Sequence, residues 1–316
     1  MTKVNTDRSE IDILSIGLIV SDIIVKGVSR DIFDRDSCYC EPVKIACGGD
    51  AFNVAYNASK LGAKVALVGC VGGDIWGNHI TQQLIDAGIN TDGIVTRNQL
   101  NTATSVVLVE PNGMRHFAYN PGANDTLEVS CADKSLIERC KVLHIGSALA
   151  LPALENDLPE LFRNAKASGK IITMDVTHDV DNIWLNKIEK ALVFVDIFMP
   201  SLDEAVLICG TDDPSECVKI FHDLGVKKVI IKMGENGCCA SDFTAIRYFD
   251  SYKANVVDTT GAGDSFVAGF LTAYLKNYDF FNSVDVGLRA AKICVENIGA
   301  TGFDLTTSGI NACRCL

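Results

Sequence analysis

Between residues 142 and 234 the chain repeats one rhythm. VLHIGSA, KIITMDV, FVDIFMP and KKVIIKMG are short apolar runs, each followed by a polar or helical stretch. Runs this short and this apolar read as strands buried on both faces. Helices between such strands carry the chain back to start the next one in the same direction. The result is a parallel sheet with helices on both sides. Helices are predicted at 154–168, 183–193 and 202–209, and two long amphipathic ones at 265–276 and 284–297. Before residue 142, strands are predicted at 12–18, 22–28 and 65–71 and helices at 51–61 and 75–87. Gly62 and Gly88 follow those two helices as stop signals.

Two stretches break the pattern, roughly 22–46 and 102–119. Both read as β ribbons inserted into the α/β body. Residues 102–110 alternate, meet the turn Pro111-Asn112-Gly113, and return along 115–119. Two such ribbons can pair into a small sheet that covers a site. The expected architecture is one domain over 1–316: a three-layer, Rossmann-like, mostly parallel sheet with a small β-sheet lid. An open lid edge is also the expected surface for a homodimer.

The chain has 316 residues and a net charge of −12 without a strongly basic stretch, which argues against a nucleic-acid partner. Residues 11–28 are apolar but contain Asp12, Asp22 and Lys26, so they do not span a membrane. No apolar signal region opens the sequence. The thirteen cysteines are scattered; the closest groups, Cys38/Cys40, Cys238/Cys239 and Cys313/Cys315, lack the paired C-x-x-C spacing of a zinc site. A cytoplasmic protein with reduced thiols is expected.

The segment VVDTTGAGDSFVAG, residues 256–269, carries the most chemistry. A strand is predicted to end at Asp258, and Gly261-Ala262-Gly263 precede Asp264 and a helix. Small residues at a helix start leave main-chain N–H groups open, and these make an anion site. A carboxylate there has two readings. It caps the helix, or it takes a proton from a hydroxyl that attacks phosphorus held by the N–H groups.

This segment resembles the C-terminal signature of the ribokinase-like (PfkB) carbohydrate kinases. The family's other signature is matched by Gly48-Gly49-Asp50-Ala51-Phe52-Asn53, followed by Gly72-Gly73-Asp74-Ile75-Trp76-Gly77. The resemblance spans nearly the whole chain and implies an ATP-dependent sugar kinase with Asp264 as base and Gly261, Ala262 and Gly263 as the anion hole. It places Asp22, Gly48, Gly49 and Asn53 at the sugar. Lys232, Gly234 and Gly237 fall in the turn that approaches the nucleotide. Lys232 stands where many relatives have threonine; it either touches the phosphates or ends a strand in solvent. The family's N-x-x-E motif, which orders Mg2+ through water, is matched by Glu204, with Ser201 in place of asparagine. Asp258 and Thr260 match positions at which relatives often bind a monovalent cation, and K+ is the ion this implies. Phe303 falls where ribokinase has a serine that could serve as a ligand.

The sugar is not specified. Asp50 and Phe52 differ from ribokinase itself. Arg30, Arg35, Arg97, Arg115 and His116 are the basic residues near the lid, with Arg115 the best candidate for a substrate anion. A nucleoside kinase and a non-catalytic sugar or nucleotide sensor of the same fold are the alternatives. The G-x-G-x-x-G turn of NAD enzymes is missing after the first strand.

Overall fold

Adjacent residues of the buried strands face two different cores. Val65 and Leu67 pack on one side of the sheet, while Ala66 and Val68 pack on the other. Ile230 and its neighbours Val229 and Ile231 divide in the same way. This is why the apolar runs are continuous rather than alternating. The computed structural model describes residues 10–112 and 114–312. The N-terminal signal reading, Gly113 of the lid turn, and Cys313/Cys315 lie outside the described residues.

Thirteen strands form among the described residues: β1 (Ile11–Ile16), β2 (Val20–Lys26), β3 (Lys44–Gly48), β4 (Val65–Gly72), β5 (Asn90–Arg97), β6 (Thr104–Val109), β7 (Arg115–Asn120), β8 (Cys140–Ile145), β9 (Ile171–Met174), β10 (Ile197–Phe198), β11 (Lys228–Lys232), β12 (Cys238–Ser241) and β13 (Ile246–Phe249). Nine of them make one sheet in the order β13-β12-β11-β10-β9-β8-β1-β4-β5. All neighbours from β11 to β5 are parallel, and β12 and β13 add an antiparallel edge. Helices Leu158–Ala167 and Pro214–Asp223 cover one face. Helices Asp50–Lys60 and Ala262–Leu275 cover the other. Phe52 and Phe270 are fully buried on that second face, and burying each contributes about 2 kcal/mol.

From β1 the chain winds outward through β4 and β5, then returns to β8 and winds the other way. The winding reverses between β1 and β8, and a crevice opens there at the carboxyl ends of the strands. Both ribbons leave from those ends, β2 just after β1 and β6 just after β5. They join into a separate four-stranded sheet, β3-β2-β6-β7, through a parallel pairing of β2 with β6. The register divides its residues between two faces. Asp22, Ala46, Ser105 and Tyr119 share one face with Lys44, Ile24, Val107 and Phe117; Ile23, Ile45, Val106 and Ala118 lie on the other.

Three sequence expectations are corrected. Residues 256–258 form no strand, because the N–H groups of Val257 and Asp258 both bond to the Val295 carbonyl at a helix end. The helix expected over 154–168 breaks into Pro152–Glu155 and Leu158–Ala167. Pro159 cannot donate back into the preceding turn and so opens a new helix. Strand β5 was not anticipated, since NTDGIVTR is polar at its start.

Candidate active site

The helix Ala262–Leu275 begins at the crevice. Its N-cap, Gly261, is left-handed at φ 75°, and a Cβ there would overlap Ala300. Only glycine holds this turn without strain. The helix start lines a cavity of about 830 Å³, and the Ala262 N–H is held there by the Thr259 carbonyl at 3.3 Å. That cavity is lined by Gly261, Ala262, Gly263 and Asp264, by Gly234 and Gly237, and by Ser201, Glu204 and Lys232. The structure therefore brings together the residues expected at the phosphate and at the nucleotide.

Asp264 joins this side to the second group. The Nδ2 of Asn53 donates to its Oδ2 at 2.7 Å. Asn53 is buried, and its Oδ1 has no partner, so an acceptor is left open beside Asp264. Gly49 precedes that helix at φ 93°, pressed against the Leu18 carbonyl. Asp22 lies on the small sheet with its carboxylate against Gly48.

Two acidic residues complete the cluster, and the sequence reading gave neither a role in the site. Asp175 follows β9, and Asp50 opens the helix after Gly49; both line the cavity. Asp50 accepts a short hydrogen bond from the Ser147 hydroxyl. The signal for Asp175 was available: it is an acid at the carboxyl end of a parallel strand. Lys232 ends β11 inside the protein and not in solvent. Its Nζ donates to Asp175 Oδ2 at 2.5 Å, and a Cβ on Gly263 would lie 3.2 Å from that Nζ. Burial pulls the ammonium pKa down, but Asp175 and Glu204 outweigh it and keep Lys232 charged.

Ser201 also has a structural job, set by its S-x-x-E spacing to Glu204. Its Oγ accepts from the Glu204 N–H at 3.3 Å, and Glu204 Oε2 accepts from the Ser201 N–H at 2.7 Å. This is a reciprocal cap of helix Leu202–Cys209. Ser201 also bridges to Lys232 in the sheet, so the two departures from the family pattern are neighbours.

The cluster holds more acid than base. Burial, then the charge of Asp50, raises the Asp264 pKa well above the usual carboxylate range. Burial and Asp175 push Glu204 up to about 7. Burial and Asp50 push Asp22 up to about 7. A carboxyl with a raised pKa keeps in the folded state a proton that the unfolded chain releases near pH 4. Its stabilising effect is complete below that pH and is lost as pH rises through about 7. Melting curves of the ligand-free protein should therefore shift down by several degrees between about pH 5.5 and 8. Asp22→Asn should flatten that slope; an unchanged slope would refute the assignment.

The basic residues near the lid are engaged. Arg30 and His116 pair with Glu110 at 2.7 and 2.6 Å, Arg35 pairs with Asp31, and Arg97 donates to Thr126 Oγ1 at 3.0 Å. Arg115 reaches from β7 to the turn before Gly261. Asp258 Oδ1 accepts from the N–H and hydroxyl of Thr260 at 3.0 and 2.7 Å and lies 3.4 Å from the Arg115 guanidinium; its Oδ2 accepts from the Gly299 N–H at 2.9 Å. With a carboxylate so filled and a fixed positive charge beside it, these residues do not fit a further monovalent cation.

A magnesium ion has a more suitable setting. Glu204 and Asp175 both line the cavity; burial raises the pKa of each, and the charge of Asp175 raises that of Glu204 further. Among the described residues no three acidic, histidine or cysteine side chains form a ready metal cage. The ion would therefore arrive with phosphate oxygens and water, as magnesium prefers.

At the crevice where the sheet reverses its winding, a glycine turn opens a helix that carries an acid in its first turn. The family profile described as pfkB family carbohydrate kinase matches residues 10–307, and the chain belongs to that family. It is 29% identical over 306 residues to an ATP-dependent 6-phosphofructokinase of Thermoanaerobacterium thermosaccharolyticum, covering 94% of this chain and 92% of the relative. It is 30% identical over 262 residues to a ribokinase of Haemophilus influenzae, covering 81% and 83%. The structure of Arabidopsis thaliana ribokinase complexed with ribose and ATP superposes with a TM-score of 0.80 at 21% identity, covering 96% of this chain and 98% of that one. The protein is a carbohydrate kinase.

Proposed function

We propose that this kinase transfers the terminal phosphoryl group of ATP to a hydroxyl of a small sugar, with Asp264 accepting the hydroxyl proton. The observation that carries this reading is the position of Asp264. It touches Asn53 on one side at 2.7 Å and stands in the first turn behind Gly261 on the other. A hydroxyl hydrogen-bonded to it would face phosphorus held by the main-chain N–H groups of Gly261–Gly263, the Ala262 N–H exchanging the Thr259 carbonyl for a phosphate oxygen. As the oxygen attacks, its proton passes to the carboxylate, which burial and the charge of Asp50 make a stronger base than a free carboxylate.

Asp22 and the open Oδ1 of Asn53 accept hydrogen bonds from other sugar hydroxyls. Gly48 and Gly49 let main chain approach the sugar. Gly234 and Gly237 border the nucleotide, and Lys232 balances charge on the phosphates. Glu204 and Asp175 would hold, through water, the magnesium that comes with ATP; that ion draws negative charge from the phosphate oxygens. The small sheet serves as the lid that keeps water from the transferring group.

The relatives' names support a sugar or a sugar phosphate as acceptor, and the paired state of Arg30, Arg35, Arg97 and His116 favours the uncharged sugar. The test is ADP release with ATP and magnesium against free sugars, sugar acids, sugar phosphates and nucleosides in competition. Stimulation by a neutral sugar is the expected result. Preference for a nucleoside would overturn the substrate class, and binding without transfer would overturn the activity.

A further inference from the structure

We propose that Arg115 is a positioning residue whose guanidinium supplies the positive charge at the Asp258–Thr260 turn, so that lid closure, and not an alkali ion, completes the phosphate-binding site. Its Nη1 donates to Thr260 Oγ1 at 2.6 Å, and its Nη2 to Thr259 Oγ1 at 3.0 Å. These two residues and Asp258 lead directly into Gly261. The register of β6 with β7 sets Arg115 on the same face of the small sheet as Lys44 and Asp22.

The opposite edge strand makes a matching contact. Lys44 of β3 donates from Nζ to the Ile298 carbonyl at 3.1 Å. Ile298 precedes Gly299, whose N–H holds Asp258 Oδ2. The two outer strands of the lid therefore grip two loops that Asp258 ties together. Arg115 has a side chain about one third exposed, whereas that of Asp258 is mostly covered. Arg115 is carried by β7 of the small sheet and Asp258 by the body, so opening of the lid would part the pair. Its planar fork meets two hydroxyls and a carboxylate at once, which a single lysine ammonium matches less well. An alkali ion would have to compete for oxygens already filled by these donors.

The inference rests on the reading of the Gly261 turn as the phosphate cradle, and its test has two arms that separate the two. The first needs no turnover. Hydrogen exchange in β6 and β7 of the ligand-free protein is compared for wild type, Arg115→Lys and Arg115→Met. Faster exchange in Arg115→Met, partly restored in Arg115→Lys, is expected; equal exchange in all three overturns the contact. The second arm measures initial rates with KCl or choline chloride at about 100 mM, so that screening is matched. Wild-type rates should agree within about twofold between the salts. Arg115→Met should lose about tenfold in kcat in choline chloride and recover part of it with potassium or added guanidinium ion. Wild type that depends on potassium as strongly as Arg115→Met overturns the proposal. Absence of turnover in every protein, with the exchange difference intact, would instead overturn the kinase reading of the site.

Discussion

Asp264→Asn will lower kcat by at least ~10²-fold while leaving the fold intact. Asparagine keeps the shape and still meets Asn53, but it cannot take a proton. The substitution also removes a carboxyl whose ionisation burial and the charge of Asp50 oppose. Thermal stability should therefore hold or rise as activity falls. This pairing of results separates a base from a helix cap, because asparagine caps a helix about as well as aspartate, so a residue that only capped would keep both stability and turnover. Near-normal turnover by Asp264→Asn would sink the assignment.

Lys232→Met should be nearly as severe for turnover, about 10²-fold or more in kcat, as for the loss of one preorganised charge at a transferring group. It should also destabilise the protein by about 3 kcal/mol or more, because Asp175 would be left buried without its partner. Folding and catalysis can be separated with a second substitution. Lys232→Met combined with Asp175→Asn removes the stranded carboxylate and should regain most of the stability without regaining turnover. Steady-state rates and chemical denaturation on the same three proteins are the measurements. A double variant with wild-type kcat would show that Lys232 serves only the fold.

The local devices could be read from sequence, while their partners could not. The glycines before Asp264, the acid itself and the buried strands follow from patterns within a dozen residues. Asp175 and Lys232 are 57 positions apart, and Arg115 and Thr260 are 145 apart. No periodicity connects such pairs; only the order of strands in the sheet does. Lys232 could equally have ended in water, until β9 and β11, the neighbours of β10, placed an acid opposite it. Val256 and Val257 read as strand because they are β-branched. Both are more than half exposed, and main-chain bonding to a helix end decides their conformation. Ser201 looked like a loss from a metal-ordering motif, yet its own spacing to Glu204 already described a cap.

The parallel ladder between β2 and β6 runs from Ser21 opposite Thr104 to Lys26 opposite Val109. Neither hairpin can swing away alone without breaking it. On the proposed reading of the small sheet as a lid, sugar entry and product escape would be movements of one stiff plate on the chain crossings that tether it to the body. Mutations at those crossings, far from any reacting atom, would set the pace of the whole cycle.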